Sequence, residues 1–231
     1  MEDETWKQFK RYLRKYMQGT DEALCLFHIL MCILVLQYKY KTEPITVADY
    51  ITSIVTGVYS ADLATGLIHV YLDITNNEFI IDIANDFREH HNSPTNILPN
   101  TNNELLQQTS LVPLPLSAIV CNCINNTHKK HILTQIISFY LQHSVQITHK
   151  YAHYMNHATD EQKNSSFGKV LNFLQENRII LSPSEHRKHH QAQNHDINFC
   201  MVNGWANPLL NAIVSHPTIH KALFEDPTTS P

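Results

Sequence analysis

Apolar residues are concentrated in four stretches of the chain, and polar segments separate them. The first two stretches are Ala23–Tyr38 and Ile45–Ile74, and the other two begin at Ser110 and at Ile132. The link between the last two is short and polar and reads NNTHKK. Four apolar segments joined as two hairpins are typical of a membrane helix bundle. The pattern therefore predicts an all-α fold, a multipass bundle of about four transmembrane helices in two hairpins.

A buried helical core is the alternative to membrane spans. Ala23–Tyr38 is shorter than the about 20 residues that cross the hydrocarbon core, and His28 interrupts it. In the second stretch, Asp62 and Asp73 would be costly in lipid unless they face a polar interior. The mean hydropathy of the whole chain is −0.26, so hydropathy gives only weak evidence for membrane spans. Hydropathy alone therefore leaves both alternatives open.

The polar segments set the expected organisation of the chain. Residues 1–22 are expected to form a basic N-terminal segment, 23–215 the main domain and 216–231 a C-terminal tail. Lysines and arginines before Ala23 predict a cytosolic N-terminus by the positive-inside rule, and we expect no cleavable signal peptide. Four crossings would then return residues 76–109 and everything after Thr148 to the cytosol. Those two segments predict a histidine-rich cytosolic cap.

Histidine is the unusual residue in the composition. The chain holds 16 histidines against 17 lysines and arginines, and its formal net charge is −4. Most imidazoles are uncharged at neutral pH, so they add metal-ligand capacity rather than a basic surface. This charge balance argues against nucleic acid as a partner. The five cysteines form no CxxC pair and are expected to be reduced and structural.

Several histidines recur at spacings that bring side chains together on one face of a helix. The pairs that are four residues apart are His69 with Asp73, His149 with His153, and His186 with His190, and His189 follows His186 by three. His90 and His91 are adjacent, so they would point in different directions and could serve two ions. Imidazole with an occasional carboxylate suits iron, zinc, copper or nickel. The shortage of thiolates argues against a closed structural zinc site.

A structural role is the alternative for each of these clusters. His153 and His157 repeat the four-residue spacing, so chance supplies single pairs easily in a chain this rich in histidine. His69 could be a core histidine with satisfied hydrogen bonds. The histidines without a trusted partner are expected to be structural, namely His28, His128, His131, His143, His216 and His220. The coincidence of four clusters beside apolar hairpins favours metal binding.

Five stretches of sequence, in this order, carry a family resemblance. They read GLIHVYLD, FREHHNSPTNI, ITHKYAH, LQENRIILSPSEHRKHHQ and HDINFCMVNGWANPLL. From about Val47 to about Ile213 the chain resembles the Kua family of lipid desaturases, and the combination of FREHHxxPTxI, HxxHH and GWxN is specific. A plastid branch of that family has a second motif that resembles GHH followed by Trp-Pro. FREHHNSPT is therefore more similar to the branch that makes plasmalogens.

The resemblance implies a multipass membrane enzyme, in the endoplasmic reticulum of eukaryotes, whose lipid desaturase domain would be residues 23–215. Such enzymes use a histidine-bound pair of iron ions, dioxygen as co-substrate, and electrons from cytochrome b5 or a similar donor. In the plasmalogen branch the double bond forms next to the ether oxygen of the 1-O-alkyl chain of an ethanolamine phospholipid. The product is a vinyl ether.

Carried over residue by residue, the resemblance implies that Asp73 is a catalytic carboxylate. The positions that match the family's metal ligands are His69, His90, His91, His149, His153, His186, His189, His190 and His195. Carboxylates such as Asp73, Asp62 or Glu89 could also tune the ions or orient the ligands. The chain departs from the family after Ile97, where animal members have a charged Arg-His-Asp stretch and this chain reads LPNTNNELLQQT. One family imidazole is therefore missing.

Two other functions remain open at the level of sequence. The missing imidazole and the surplus histidines favour a histidine-rich protein that binds zinc or nickel without catalysis. A desaturase or hydroxylase of the same fold could instead act on an acyl or sphingoid chain. Iron can generate an oxidant strong enough to remove hydrogen from an unactivated methylene, whereas zinc is redox-inert. Metal analysis therefore distinguishes a zinc- or nickel-binding protein from an iron enzyme. Product analysis distinguishes a desaturase that acts on an ether lipid from one that acts on an acyl or sphingoid chain.

Overall fold

The computed structural model describes residues 21–78, 80–110, 128–192 and 195–224. The predicted all-α class is confirmed over these ranges, which contain eleven α-helices, one short 3-10 helix and no strand. Most of the apolar stretch that begins at Ser110, and with it the first half of the predicted second hairpin, lies outside the described residues.

The helices are numbered here in chain order. The N-terminal half contains α1 (Asp21–Tyr40), α2 (Val47–Ile74), α3 (Ile81–Asn92), the 3-10 helix Pro94–Ile97 and α4 (Asn102–Thr109). The C-terminal half contains α5 (Lys129–His143), α6 (Val145–His157), α7 (Asp160–Asn164), α8 (Ser166–Glu176), α9 (Pro183–Gln191), α10 (Asn207–Val214) and α11 (Pro217–Phe224). The last of these helices falls in the segment expected to be a C-terminal tail.

Contacts between residues divide the chain into two units. The first comprises the described parts of Met1–Ala61 and Asn100–Ile147, and the second comprises those of Asp62–Pro99 and Thr148–Pro231. Residues 47–61 of α2 belong to the first unit and residues 62–74 to the second. Every histidine that the sequence predicts as a ligand lies in the second unit.

Apolar side chains from α1 and α5 form the core of the first unit. Phe27, Met31 and Leu34 recur at intervals of three and four residues, so they lie on one face of α1. They pack against Ile132 and Phe139 of α5. The packing of these apolar side chains therefore explains why the two helices pair.

One helix of the described chain, α2, is long and apolar enough to cross a membrane. Its 28 residues correspond to about 42 Å, which exceeds the about 30 Å of a hydrocarbon core. Leu24–Tyr40 of α1 is a shorter apolar helix. A single candidate span supports membrane association only weakly, and the multipass arrangement with four crossings stays a prediction.

Candidate metal centre

Two groups of side chains in the second unit bring metal-ligand atoms together. Five imidazoles form the five-histidine group, which contains His90, His149, His153, His186 and His190. Three imidazoles and a carboxylate form the mixed group, which contains His69, Asp73, His91 and His189. Within each group the ligand atoms all lie within 4.8 Å of one another. The two groups contain every predicted site residue except His195.

Neighbouring histidines on one helix are divided between the two groups. On α9, His186 and His190 are one turn apart and belong to the five-histidine group, whereas His189 belongs to the mixed group. On α3, the adjacent residues His90 and His91 divide in the same way. Adjacent residues point about 100° apart around a helix axis, so two consecutive histidines can serve two ions.

The local sequence fixes where α9 begins. Ser182 Oγ accepts a hydrogen bond from the backbone N–H of Glu185 at 3.1 Å, as a helix N-cap does. Pro183 occupies the first turn, where its missing N–H has no cost. The resulting register buries His186 and His189, which are 1% and 0% exposed.

His153 has three close ligand neighbours in the five-histidine group. Its Nε2 atom lies 2.9 Å from Nε2 of His90, 3.0 Å from that of His149 and 2.8 Å from that of His186. A ring nitrogen carries one proton or one lone pair, so it cannot form three good hydrogen bonds. The convergence of these atoms is therefore better explained by a shared cation.

The spacing of these nitrogens fits the coordination shell of a transition metal ion. Imidazole nitrogen binds such an ion at about 2.0–2.1 Å, so two ligands at right angles would be about 3.0 Å apart. At the tetrahedral angle they would be about 3.4 Å apart. The three separations around His153 and the one between His186 and His190 are 2.8–3.0 Å. They are short enough for these nitrogens to share one ion.

Burial keeps the imidazoles of this group uncharged. Burial and, to a smaller extent, the nearby His190 lower the pKa of His90 to about 4. Burial likewise lowers the pKa of His190 to about 4, and it holds the pKa of His186 well below its usual value. A neutral imidazole offers a lone pair, so these side chains can bind a cation at neutral pH without first releasing a proton.

Buried polar atoms without partners mark the centre of the mixed group. Asp73 Oδ2 lies 3.5 Å from His69 Nε2 and 4.0 Å from His189 Nε2, and Asp73 Oδ1 lies 3.7 Å from His91 Nε2. Among the described residues, neither oxygen of Asp73 has a hydrogen-bond partner, nor has His69 Nε2. Buried polar atoms are normally satisfied. A cation held by these side chains would satisfy all three atoms.

Hydrogen bonds at Nδ1 of His69 and His189 orient the Nε2 atoms of these two rings toward the mixed group. Nδ1 of His69 lies 3.0 Å from the carbonyl oxygen of Phe199, and Nδ1 of His189 lies 2.8 Å from that of Ile197. A carbonyl oxygen only accepts, so each Nδ1 carries the proton and each Nε2 carries a lone pair. Metal-bound histidines usually have such a second bond, which fixes the tautomer. Lone pairs thus face the carboxylate oxygens of Asp73, and a cation between them would satisfy both.

His195 lies beside the mixed group but belongs to neither group. The centroid of its ring is 4.3 Å from that of His91 and 5.6 Å from that of His189. Its Nδ1 donates to the carbonyl oxygen of His189 at 3.1 Å. The backbone of His195 has a φ of 50° and follows the end of α9, so helical spacing does not determine its position. Its ligand role stays a prediction, and in the structure it packs against His91 and His189 of the mixed group.

Sequence reasoning missed Arg88, which connects α3 to the end of α2. Its Nη1 donates to the carbonyl oxygens of Leu72, Asp73 and Thr75 at 3.0–3.3 Å. The last carbonyls of a helix lack partners within it and favour a cation. The position of Arg88 in FREHH, directly before the histidines, was the available signal. Arg88 therefore holds the helix that carries His90 against the end of α2.

Arg88→Lys should destabilise the second unit, because the single nitrogen of an ammonium cannot replace both Nη1, which meets the carbonyl groups, and Nη2, which donates to Asn85 Oδ1. We expect a loss of about 1–3 kcal/mol in the free energy of unfolding, measured as a lower melting temperature of the purified protein. Arg178→Lys is the matched control, because Arg178 is exposed and lies 3.8 Å from its carboxylate partner Glu185. Equal melting temperatures for the two variants would contradict the prediction.

The histidines expected to be structural lie outside both groups. His143 stacks on Phe27, with ring centroids 3.8 Å apart. His220 Nε2 lies 3.0 Å from Asp196 Oδ2, a partner 24 residues away that spacing along one helix could not reveal. Both contacts agree with a packing role.

The segment that lacks the family imidazole forms a short helix of its own. Thr101 and Glu104 make a capping box at the start of α4, each side chain accepting from the other residue's backbone N–H. The helix α4 belongs to the first unit, and neither metal-ligand group includes a residue from the segment.

Comparison with known proteins agrees with this site. A family model described as the lipid desaturase domain matches residues 58–226, which is more than half of the chain. All members of the five-histidine group and of the mixed group lie within the matched range. A search of the curated proteins found no match, and neither did a search of the solved structures. On the evidence of the family match and of the histidine groups inside it, the chain belongs to the lipid desaturase family.

Proposed function

We propose that the chain is a membrane enzyme that holds two iron ions and uses dioxygen to form the vinyl-ether bond of plasmalogens. The substrate would be a 1-O-alkyl ethanolamine phospholipid. The observation that carries the proposal is the pair of buried ligand groups, one of five imidazoles and one of three imidazoles with a carboxylate. The choice of an ether lipid rests on the resemblance of FREHHNSPT and of the GWxN stretch to the plasmalogen branch.

The ligand atoms support iron over zinc. Imidazole with a carboxylate suits iron, and neither group contains the thiolates that are typical of a closed structural zinc site. Bound iron would supply, with dioxygen, the oxidising power that removes hydrogen from an unactivated methylene. The five-histidine group would hold one ion and the mixed group the other.

The proposed reaction requires an outside source of electrons. One hydrogen leaves each of two neighbouring carbons, and a carbon-carbon double bond forms between them. Dioxygen takes up these two hydrogens with two further electrons and two protons and gives two molecules of water. We propose cytochrome b5 or a similar carrier as the donor of the two electrons. The chain's own residues hold the ligands neutral and oriented in a buried site, where water is excluded.

Exposed apolar side chains support the multipass arrangement. On α1, Ile29 and Leu36 are 55% and 50% exposed, and on α2, Ile51 and Ile54 are 58% and 51% exposed. Rows of large exposed apolar residues are costly in water and expected against lipid. We therefore propose that α1 spans the membrane together with α2, in the endoplasmic reticulum if the source is a eukaryote.

The length of α2 supports a site at the membrane surface. The helix is about 12 Å longer than the hydrocarbon core. Its last two turns, which carry His69 and Asp73, can therefore project beyond the lipid chains. In the proposed topology this end faces the cytosol, where a soluble domain of an electron carrier could reach it.

Lipid analysis of plasmalogen-deficient cells that express the chain tests the function. Supplied with the alkyl-ether precursor, these cells should regain vinyl-ether ethanolamine phospholipids. Restored acyl unsaturation without vinyl ether would support a desaturase of the acyl branch instead. Purified protein that holds one zinc ion per chain, with no new lipid product, would support a metal-binding protein without catalysis.

A glycosylation reporter tests the topology. Inserted at Asn125, within the NNTHKK link, it should be glycosylated because the link is proposed to be lumenal. Asn164, in the sequence NSS, is the internal control, since it is an acceptor motif on the side proposed to be cytosolic. We expect no glycan there. A glycan at Asn164 with none at the Asn125 reporter would reverse the arrangement.

A further inference from the structure

A second carboxylate on α2, Asp62, belongs to neither ligand group and is fully buried, at 0% exposure. Its Oδ1 accepts hydrogen bonds from the backbone N–H groups of Val202, Asn203 and Gly204 at 3.0, 3.0 and 3.1 Å. Its Oδ2 accepts one from Ala206 at 2.9 Å. Hydrogen bonds to a carboxylate are stronger than those between neutral groups. One side chain therefore fixes four amides of a segment that is distant in sequence.

The same segment, residues 197–206, contacts metal-ligand histidines through its carbonyl groups, and we call it the 197–206 loop. The carbonyl oxygen of Ile197 accepts from Nδ1 of His189 at 2.8 Å, and that of Phe199 accepts from Nδ1 of His69 at 3.0 Å. The loop thus has two sets of bonds. Its amides donate hydrogen bonds to Asp62, and its carbonyl groups accept hydrogen bonds from two imidazoles of the mixed group.

Two glycines and an asparagine show how closely the 197–206 loop is fitted to α2. A Cβ on Gly66 would lie 2.7 Å from Cys200 Sγ, so only glycine allows this approach. Gly204 has a φ of +82°, a conformation that glycine adopts without strain. Asn207 Oδ1 accepts from the backbone N–H of Cys200 at 2.9 Å and closes the loop. The GWxN stretch therefore shapes the loop around Asp62.

We propose that Asp62 is a positioning residue for the mixed group. By holding the amides of the 197–206 loop, it places the two carbonyl oxygens that set the tautomer and direction of His69 and His189. The inference rests on the proposed function, because it assigns a role toward the metal ligands proposed there. Since these carbonyls accept from imidazoles of the mixed group, loss of Asp62 should lower the affinity for one of the two proposed ions and leave the other unchanged.

Asp62→Asn is the sharpest test. Asparagine keeps the size of the side chain and one acceptor oxygen, but its amide nitrogen cannot accept from the N–H of Ala206. The full-length protein, purified and stripped of metal with a chelator, is titrated with Co²⁺. The unsubstituted chain should bind two ions. In Asp62→Asn the affinity for one ion should fall about 10- to 100-fold, with the other unchanged, because second-shell partners have effects of this size.

Ser53→Ala is the matched control on the same helix. Ser53 is 1% exposed, and its Oγ donates to the carbonyl oxygen of Lys130 at 2.9 Å. Its removal should lower the melting temperature without changing either Co²⁺ affinity. If Asp62→Asn behaved like Ser53→Ala, or weakened both ions equally, Asp62 would be a structural residue only and the inference would be overturned.

Gly204→Ala gives a second route to the same answer if Asp62→Asn does not fold. The alanine strains the 197–206 loop because residue 204 has a positive φ, and it leaves the Asp62 carboxylate in place. It should therefore also lower the affinity for one ion and not for the other. Two unchanged affinities would overturn the inference. An unsubstituted chain that binds two ions but makes no unsaturated lipid would overturn the proposed function alone, and one that binds fewer than two ions would overturn both.

Discussion

His153→Ala should abolish lipid desaturation and remove at least one of the two ions. Its Nε2 lies within 3.0 Å of three other Nε2 atoms, so it is positioned to share one cation with all three. Loss of a direct ligand should cost more than the about 10- to 100-fold typical of second-shell partners. Iron per chain and the amount of vinyl-ether lipid in complemented cells are the two measurements.

His157→Ala is the matched control, since the two histidines are one turn apart on α6. His157 is exposed and belongs to neither ligand group. We expect its substitution to leave iron content and product close to those of the unsubstituted enzyme. A His153→Ala enzyme with normal iron and normal activity would remove the metal assignment, and the histidines would then be a feature of packing alone.

The three histidines of α9 should each be required, but for different ions. His186→Ala and His190→Ala should affect the ion of the five-histidine group, and His189→Ala the ion of the mixed group. Each should abolish desaturation, and their effects should not add, because the residues act as a unit. Loss of the same ion in all three variants would contradict the division into two groups.

Short-range spacing accounts for most of what the sequence could predict about the site. Residues four apart on a helix share a face, and the structure places His149 with His153, and His186 with His190, in one group. The same periodicity places His90 and His91 of α3 in different groups. These placements need only the helical repeat and a correct helix assignment, which the sequence provides.

Long-range contacts account for what the sequence could not predict. Asp62 was recognised only as one of several carboxylates that could orient ligands, because its partners are amides about 140 residues away. Backbone amides have no signature in the sequence. Arg88 was missed because its partners are the carbonyl groups of a helix end. His195 was predicted as a ligand from the family resemblance alone, because its backbone has a positive φ outside any helix and helical spacing could not place it. The fold class was easier to predict than these contacts, since helical periodicity is a local property of the sequence.

Hydropathy is a poor guide to whether α2 can enter a membrane, for a different physical reason. Asp62 and Asp73 lower the apparent hydropathy of α2, yet both are largely removed from solvent. Asp62 is satisfied by four amides, and Asp73 faces three imidazoles at 3.5–4.0 Å. Such inward-facing carboxylates do not meet lipid, so a hydropathy sum counts a cost that the folded chain does not incur.

Asp73→Asn should abolish desaturation and weaken the ion of the mixed group, while the ion of the five-histidine group stays bound. Asparagine preserves the shape of the side chain but removes one negative charge and replaces an acceptor oxygen with an N–H donor. Both carboxylate oxygens face imidazole nitrogens and lack hydrogen-bond partners within the described chain. If a cation joins these atoms, the neutral amide should lower its affinity by about 100-fold or more, since a direct ligand is lost.

The measurement for Asp73 is metal content together with stability, since two explanations of the buried carboxylate differ in their outcomes. If Asp73 binds a cation, Asp73→Asn should lose one ion, and a chelator should lower its melting temperature less than it lowers that of the unsubstituted chain. If Asp73 is instead a protonated acid that shares a hydrogen with an imidazole, the amide can donate in its place, and both ions should stay bound. Asp86→Asn, an exposed aspartate on α3, controls for the change in net charge. Normal iron content and activity in Asp73→Asn would show that the carboxylate neither binds the ion nor takes part in the reaction.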